Sequence, residues 1–283
     1  MIKRSVLLAV LLTALAGAYV YAQQFGTEPV KLDVVKLADD LFVIHNDFVP
    51  GNTTALVTNA GVVLVDDKFE VDHANVMKQL KTFTSQPVKY VINTHYHGDH
   101  SGGNAKLQAL GAQAVSSEKA RERMVAGKQP GLTDLTFDQR MHVRLGGKQV
   151  DLYYFGRSHT DGDIVALFPR HRVLAAGDMF AFGDRTPELI DYAGGGSAKE
   201  WPATLDKALA LTFDQVVPGH GVVTTKVEMK KFRDSTQALY TRVKTMNAEK
   251  KSKAEIEKVL RSEFKWADLH VMFGLDGVIK EAR

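Results

Sequence analysis

Apolar positions fall into short runs along the first half of the chain. Leu41 to Ile44 is continuous, and Thr54 to Thr58 and Val62 to Val65 flank Asn59-Ala60-Gly61, turn chemistry that predicts a hairpin. Val71, Ala74, Met77 and Leu80 then recur at close to helical spacing. Pro87 forbids continuation of that helix, so Val88 to Ile92 reads as a separate, buried strand. From Ala105 to Leu110 the pattern is helical again, which leaves the polar residues in between on a strand-to-helix loop. Rigid scaffolds present chemistry on such loops.

The second half repeats the theme. Strands are predicted at Gln149 to Phe155, Ile164 to Phe168 and Val173 to Ala176, followed by irregular chain to about Ser197. Phe232, Leu239, Val243 and Met246 mark an amphipathic helix. Ser252 with Glu255 forms a capping box for another helix carrying Ile256, Val259, Leu260 and Phe264. Strands and helices alternate throughout, which argues for an α/β layered fold. With no long linker and no fixed-period repeat, residues 23–283 read as one domain, the helices from about 226 packing on it.

The first 22 residues stand apart. Lys3 and Arg4 precede an apolar run from Val6 to Ala18, and Val20 and Ala22 suit the positions before a signal-peptidase cut. The run falls short of the roughly 20 apolar residues of a bilayer span. A cleaved secretory signal is therefore expected, with a periplasmic or secreted mature chain and no stable membrane insertion. The absence of cysteine excludes a disulfide scaffold, a thiolate metal site, a cysteine nucleophile and a cysteine-linked lipid. Lysine and arginine total 36 against 33 acidic residues, a net charge of +3, so nothing in the balance favours nucleic acid. The lysines at Lys250, Lys251 and Lys253 read as a solvated face.

The chemistry concentrates in His95-Tyr96-His97-Gly98-Asp99-His100. If the strand runs on in extended form, His95 and His97 point to one side because side chains alternate. Asp99 and His100, redirected by the following turn, could serve a second ion. Leaving so many titratable groups buried without a cation would cost several kcal/mol per unpaired charge. Three further candidates each follow an expected strand: His159, Asp178 in Gly177-Asp178, and His220 in Pro218-Gly219-His220. His95, His97 and His159 make one three-histidine site; Asp99, His100 and His220 make a second; Asp178 could bridge them. The remaining histidines, His45, His73, His142, His171 and His270, lack ligand spacing and read as structural. Gly194 to Gly196 lacks the following lysine of a phosphate loop, and Tyr192 and Arg185 are candidates to line a cleft.

This ordered set, His-x-His-x-Asp-His followed by a lone His, Asp and His, resembles the metallo-β-lactamase superfamily over nearly the whole mature chain. The resemblance implies a four-layer αββα sandwich with a dinuclear site at one edge and the ligand roles just given. The turn-rich segment Asn46 to Gly51 after His45 reads either as an ordinary surface turn or, as the resemblance implies, as a loop that overhangs the pocket with Phe48 touching substrate. Gly156 to Pro169 looks much like the corresponding stretch of periplasmic β-lactamases. Asp178, in contrast, matches hydroxyacylglutathione hydrolases, lactonases and related esterases. The β-lactamases most similar to this chain place a cysteine there, and many place a lysine three residues later, where this chain has Ala181. That departure points away from strong β-lactamase activity.

Two divalent ions, zinc by default with iron or manganese also suited to nitrogen and oxygen ligands, would share a water and supply hydroxide near neutral pH. Asp99 would orient that hydroxide and carry a proton to the leaving group. The expected activity is hydrolysis of a small-molecule amide, ester, thioester or lactone. Rival readings are a β-lactamase proper, an iron-dependent redox member that consumes oxygen, and a noncatalytic periplasmic metal-binding protein. Metal content and a broad substrate panel separate them.

Overall fold

The computed structural model describes residues 27–183 and 188–283. The expected signal segment and Arg185 lie outside the described residues. Thirteen strands among them form two sheets. The first sheet begins with four antiparallel strands in chain order: β1 (Asp33–Ala38), β2 (Leu41–His45), β3 (Thr53–Thr58) and β4 (Gly61–Val65). It continues in parallel through β5 (Val88–Ile92), β6 (Gln113–Ser117) and β7 (Leu135–Phe137). The second sheet runs antiparallel from β8 (Arg140–Leu145) through β9 (Lys148–Tyr154) and β10 (Ile164–Phe168) to β11 (Val173–Gly177). There β12 (Gln215–Pro218) pairs in parallel with β11, and β13 (Thr224–Thr225) closes the edge.

Alternation along the strands builds the layers. In β10, Ile164, Ala166 and Phe168 point inward to meet Leu41, Val43, Val63 and Ile92 of the first sheet. Val165 and Leu167 point the other way, into a core with Trp201, Leu205, Leu239, Val243 and Leu275. That outer core belongs to α5 (Trp201–Leu209) and the C-terminal helices α6 (Lys226–Ala248), α7 (Lys253–Glu263) and α8 (Asp268–Glu281). On the opposite side, Ile44, Ala55, Leu64 and Val91 pack on Val76 and Leu80 of α1 (His73–Leu80) and Leu107 of α3 (Asn104–Ala109). Between β5 and α3 lies the single turn α2 (Gly98–Ser101), and α4 (Glu118–Ala126) follows β6. Helix, sheet, sheet, helix is the expected αββα sandwich. Among the described residues no helix is long and apolar enough to cross a membrane.

Several expectations shift. The hairpin at Asn59 to Gly61 forms, and the Ser252 capping box is complete. The apolar face of α1 is rotated: Val76 and Leu80 are buried, whereas Val71 is 37% exposed, because a 3-10 turn over Glu70–Asp72 starts the element. The strand β5 stops at Ile92, so His95 sits in a bend beyond it, His97 caps the following helical turn, and the pleat does not orient them. Lys250, Lys251 and Lys253 are exposed, and Lys251 and Lys253 pair with Glu255 and Asp276.

Candidate metal centre

All the singled-out side chains converge where strands end. His95, His97, Asp99 and His100 follow β5, in the first sheet. His159 lies between β9 and β10, Asp178 directly follows β11 and His220 follows β12, all in the second sheet. Potential ligand atoms of His95, His97, His159 and Asp178 lie within 4.8 Å of one another, as do those of Asp99, His100 and His220. Asp178 reaches both groups. Its Oδ2 is 3.6 Å from His159 Nε2 and 3.4 Å from His220 Nε2, and its Oδ1 is 3.2 Å from His100 Nε2.

The outer nitrogens decide what the inner ones are. His159 Nδ1 donates to the Leu189 carbonyl at 2.6 Å, His220 Nδ1 to the Phe48 carbonyl at 2.8 Å, and His100 Nδ1 to Asp66 Oδ2 at 2.8 Å. The Thr94 hydroxyl spends its hydrogen on Asp66, so at 3.2 Å it accepts from His95 Nδ1. His97 is turned the other way, donating from Nε2 to Asp191 at 3.0 Å. A neutral imidazole carries one proton, so in that form, the one that binds a metal, each inward nitrogen presents a lone pair. His97 Nδ1 lies 3.0 Å from His95 Nε2 and 2.9 Å from His159 Nε2, and His100 Nε2 lies 3.4 Å from His220 Nε2. Lone pairs at those distances repel unless a cation sits between them. Asp178 Oδ1 is buried without a hydrogen-bond donor, as a metal-facing carboxylate would be. The donor set therefore fits two divalent cations.

Electrostatics agrees. Burial alone would favour neutral carboxyls at Asp99 and Asp178, yet His220 and His100 hold both below the ordinary carboxylate range. Burial likewise opposes charge on His220, but Asp178 and Asp99 push it up to about 10. His100 is raised for the same reason, whereas buried His95, ringed by other imidazoles, is held well below the ordinary value. The two carboxylates thus make the pocket attract positive charge, carried either by protons on His100 and His220 or by cations that displace those protons.

The supporting carboxylates Asp66 and Asp191 carried no motif. Asp66 directly follows β4, and Asp191 lies on the segment before Gly194-Gly195-Gly196. Those glycines form no phosphate loop. They let the chain wrap the site closely, since a Cβ on Gly196 would lie 2.2 Å from the His159 carbonyl oxygen. Tyr192 does not line a cleft: its ring packs against α8 and its hydroxyl donates to Glu281. The Phe48 ring sits 5.6 Å from His220, at the edge of the second cluster. His45 bonds Asn52, while His142 and His171 pair with Asp151 and Asp40, away from the clusters.

The family model for the metallo-beta-lactamase superfamily matches residues 46–220. The chain belongs to that superfamily, and family and His/Asp cluster together make it a metal-dependent hydrolase. Among its relatives, the "Metallo-beta-lactamase type 2" of Elizabethkingia meningoseptica is 29% identical over 184 residues, covering 62% of this chain and 73% of that protein. The "Metallo-beta-lactamase type 2" of Bacillus cereus is 28% identical over 189 residues, covering 65% and 72%. The solved metallo-beta-lactamase from Pontibacter korlensis superposes with a TM-score of 0.67 at 24% identity, covering 73% of this chain and 99% of that one, a likeness of fold.

Proposed function

We propose that this chain is a secreted or periplasmic dinuclear zinc hydrolase that cleaves a small amide, ester, thioester or lactone. His95, His97 and His159 would hold one cation and Asp99, His100 and His220 the other, with Asp178 in reach of both groups. The convergence of inner nitrogens around Asp178 carries this reading, because partners on the outer nitrogens leave the inner ones directed at one centre and free to ligate. When bound, two such cations lower the pKa of a water toward about 7 and polarise a carbonyl. Nitrogen-rich, thiolate-free ligation suits zinc, and iron or manganese would be accommodated by the same atoms.

The chain's own residues do the rest. Asp99 Oδ2 is 3.3 Å from His220 Nε2 and 3.5 Å from His100 Nε2, and its side chain is 18% exposed, so it meets both the second cluster and the open side of the pocket. That position suits a carboxylate that orients water and passes a proton to the leaving group. Phe48 offers an aromatic face beside His220. The names of the relatives favour a second reading, β-lactam hydrolysis. Asp178 and Ala181 weigh against it, since neither supplies the thiolate or the carboxylate-gripping lysine expected of the similar β-lactamases.

Elemental analysis of protein purified without added metal, followed by a panel of chromogenic lactams, lactones, esters and thioesters, tests both. Two equivalents of zinc with turnover of esters, thioesters or lactones are expected. Nitrocefin turnover at the level of a resistance enzyme would favour the second reading. Metal retention with no hydrolysis across the panel would end both.

A further inference from the structure

Helix α8, beyond the stretch matched by the family model, reaches the metal centre through one carboxylate. Glu281, in its last turn, accepts from the Tyr192 hydroxyl at 2.8 Å, the Ser197 hydroxyl at 2.5 Å and the Lys199 backbone amide at 3.2 Å. Tyr192 lies flat on the same helix, and only a glycine at 277 permits it, since a Cβ there would fall 2.0 Å from the ring. These contacts clamp the outer side of the segment from Tyr192 to Lys199.

The residues just before that segment, Leu189 and Asp191, hold two histidines of the first cluster. Leu189 takes the His159 Nδ1 proton, and Asp191 takes the His97 Nε2 proton and the Tyr96 hydroxyl. Asp191 in turn accepts from the Gly194 amide at 2.8 Å, and its own amide donates to the His159 carbonyl. Displacing Tyr192 and Ser197 would therefore turn the imidazoles of His97 and His159. The second cluster takes its outer partners from elsewhere: Asp66 for His100 and Phe48 for His220.

The geometry points to Glu281 as a positioning residue: the C-terminal helix sets the orientation of His97 and His159, and hence metal affinity at the first position only. This rests on the metal reading above. Outer-shell partners typically govern 10- to 100-fold in metal affinity, and a group acting one residue further out should sit at the low end.

The test loads the full-length protein with cobalt(II) and follows the exchangeable imidazole N–H resonances while free metal is buffered. Glu281→Ala should weaken the first site about tenfold and speed exchange of the His97 and His159 N–H protons. The second site and the His100 and His220 protons should stay within twofold of wild type. Glu281→Gln, which keeps one accepting oxygen, should fall between. Tyr192→Phe is a milder variant should the alanine fail to fold. Asn247→Ala is the control. It removes the bond that ties α6 to the Ile279 carbonyl of α8 without touching the segment, and should lower the melting temperature with no site selectivity. Unchanged first-site affinity in Glu281→Ala, equal weakening of both sites, or the same selectivity in Asn247→Ala would overturn the inference. A wild-type protein that takes up no cobalt would overturn the metal reading itself, and this inference with it.

Discussion

Asp99 and Asp191 are both carboxylates bonded to histidines of the same centre, yet substitution should affect them differently. Asp99 faces the open side and touches only inward nitrogens. Asp99→Asn keeps the shape, removes the proton acceptor and should cut turnover at least 100-fold, because general acid–base transfer contributes about 10² to 10⁴. Stopped-flow or steady-state rates on the best substrate would check it, and a near-normal kcat would remove Asp99 from proton transfer. Asp191 works from behind. It accepts from His97 Nε2, from Tyr96 and from Gly194, which together hold its carboxyl well below the usual range despite burial. Asp191→Ala should release the His97 tautomer and weaken metal binding about 10- to 100-fold, read by chelator competition, with the chemical step at saturating metal less affected. The sequence displayed Asp99 inside a dense motif. Asp191 and Asp66 were invisible there because the histidines they orient lie 94 and 34 residues away, a distance over which no local pattern operates.

Elements show the same division between local and long-range information. The continuous apolar stretch Ile164 to Phe168 is a strand to the residue because it is buried on both faces, and the hairpin at Asn59 to Gly61 follows from its turn residues. The edge strand β1 and the strand β8 had no such signature. The first has no fully buried position, and in the second only Val143 is buried, so neither carries the continuous apolar run of a core strand. The loop from Asn46 to Gly51 is legible as a turn-rich segment, but what fixes it is not. Lys68, fully buried, donates to the Asn46 side chain at 2.7 Å and to the Gly51 carbonyl at 2.6 Å. Asn52 then bonds Pro218 and Gly221 around His220. Burial outweighs the attraction of Asp72, Asp99 and Asp66 and draws the Lys68 ammonium down to about 7. Lys68→Met would leave two buried acceptors without a donor while relieving an ammonium of its burial. The net cost should be about 1–3 kcal/mol. Hydrogen exchange at the Asn52 amide, which donates to the Gly219 carbonyl, should rise in step. Unaltered exchange there would show that the loop is held without Lys68.

Across the whole molecule the two sheets meet through one apolar layer and, at one edge, through the candidate metal centre. His95, His97, Asp99 and His100 arrive from the first sheet, and His159, Asp178 and His220 from the second. The chain has no cysteine, so no disulfide ties the sheets together. Cations at the centre would therefore link the layers only when both are folded, since His100 and His220 are 120 residues apart and an unfolded chain cannot present them jointly. Binding confined to the native state stabilises by about 2.7 kcal/mol per site at a free metal concentration 100 times the dissociation constant. For a domain of this size each kcal/mol moves the melting temperature by about 2–4 °C. Stripping the protein with a chelator should thus lower its midpoint by at least about 5 °C per site. Restoring zinc should recover it along a curve that depends on free metal. His97→Ala should retain only the part of that shift owed to the second position. A midpoint indifferent to both chelator and zinc would mean that the cluster joins the sheets by its own hydrogen bonds. Superfamily membership would then describe the fold of this chain and not its chemistry.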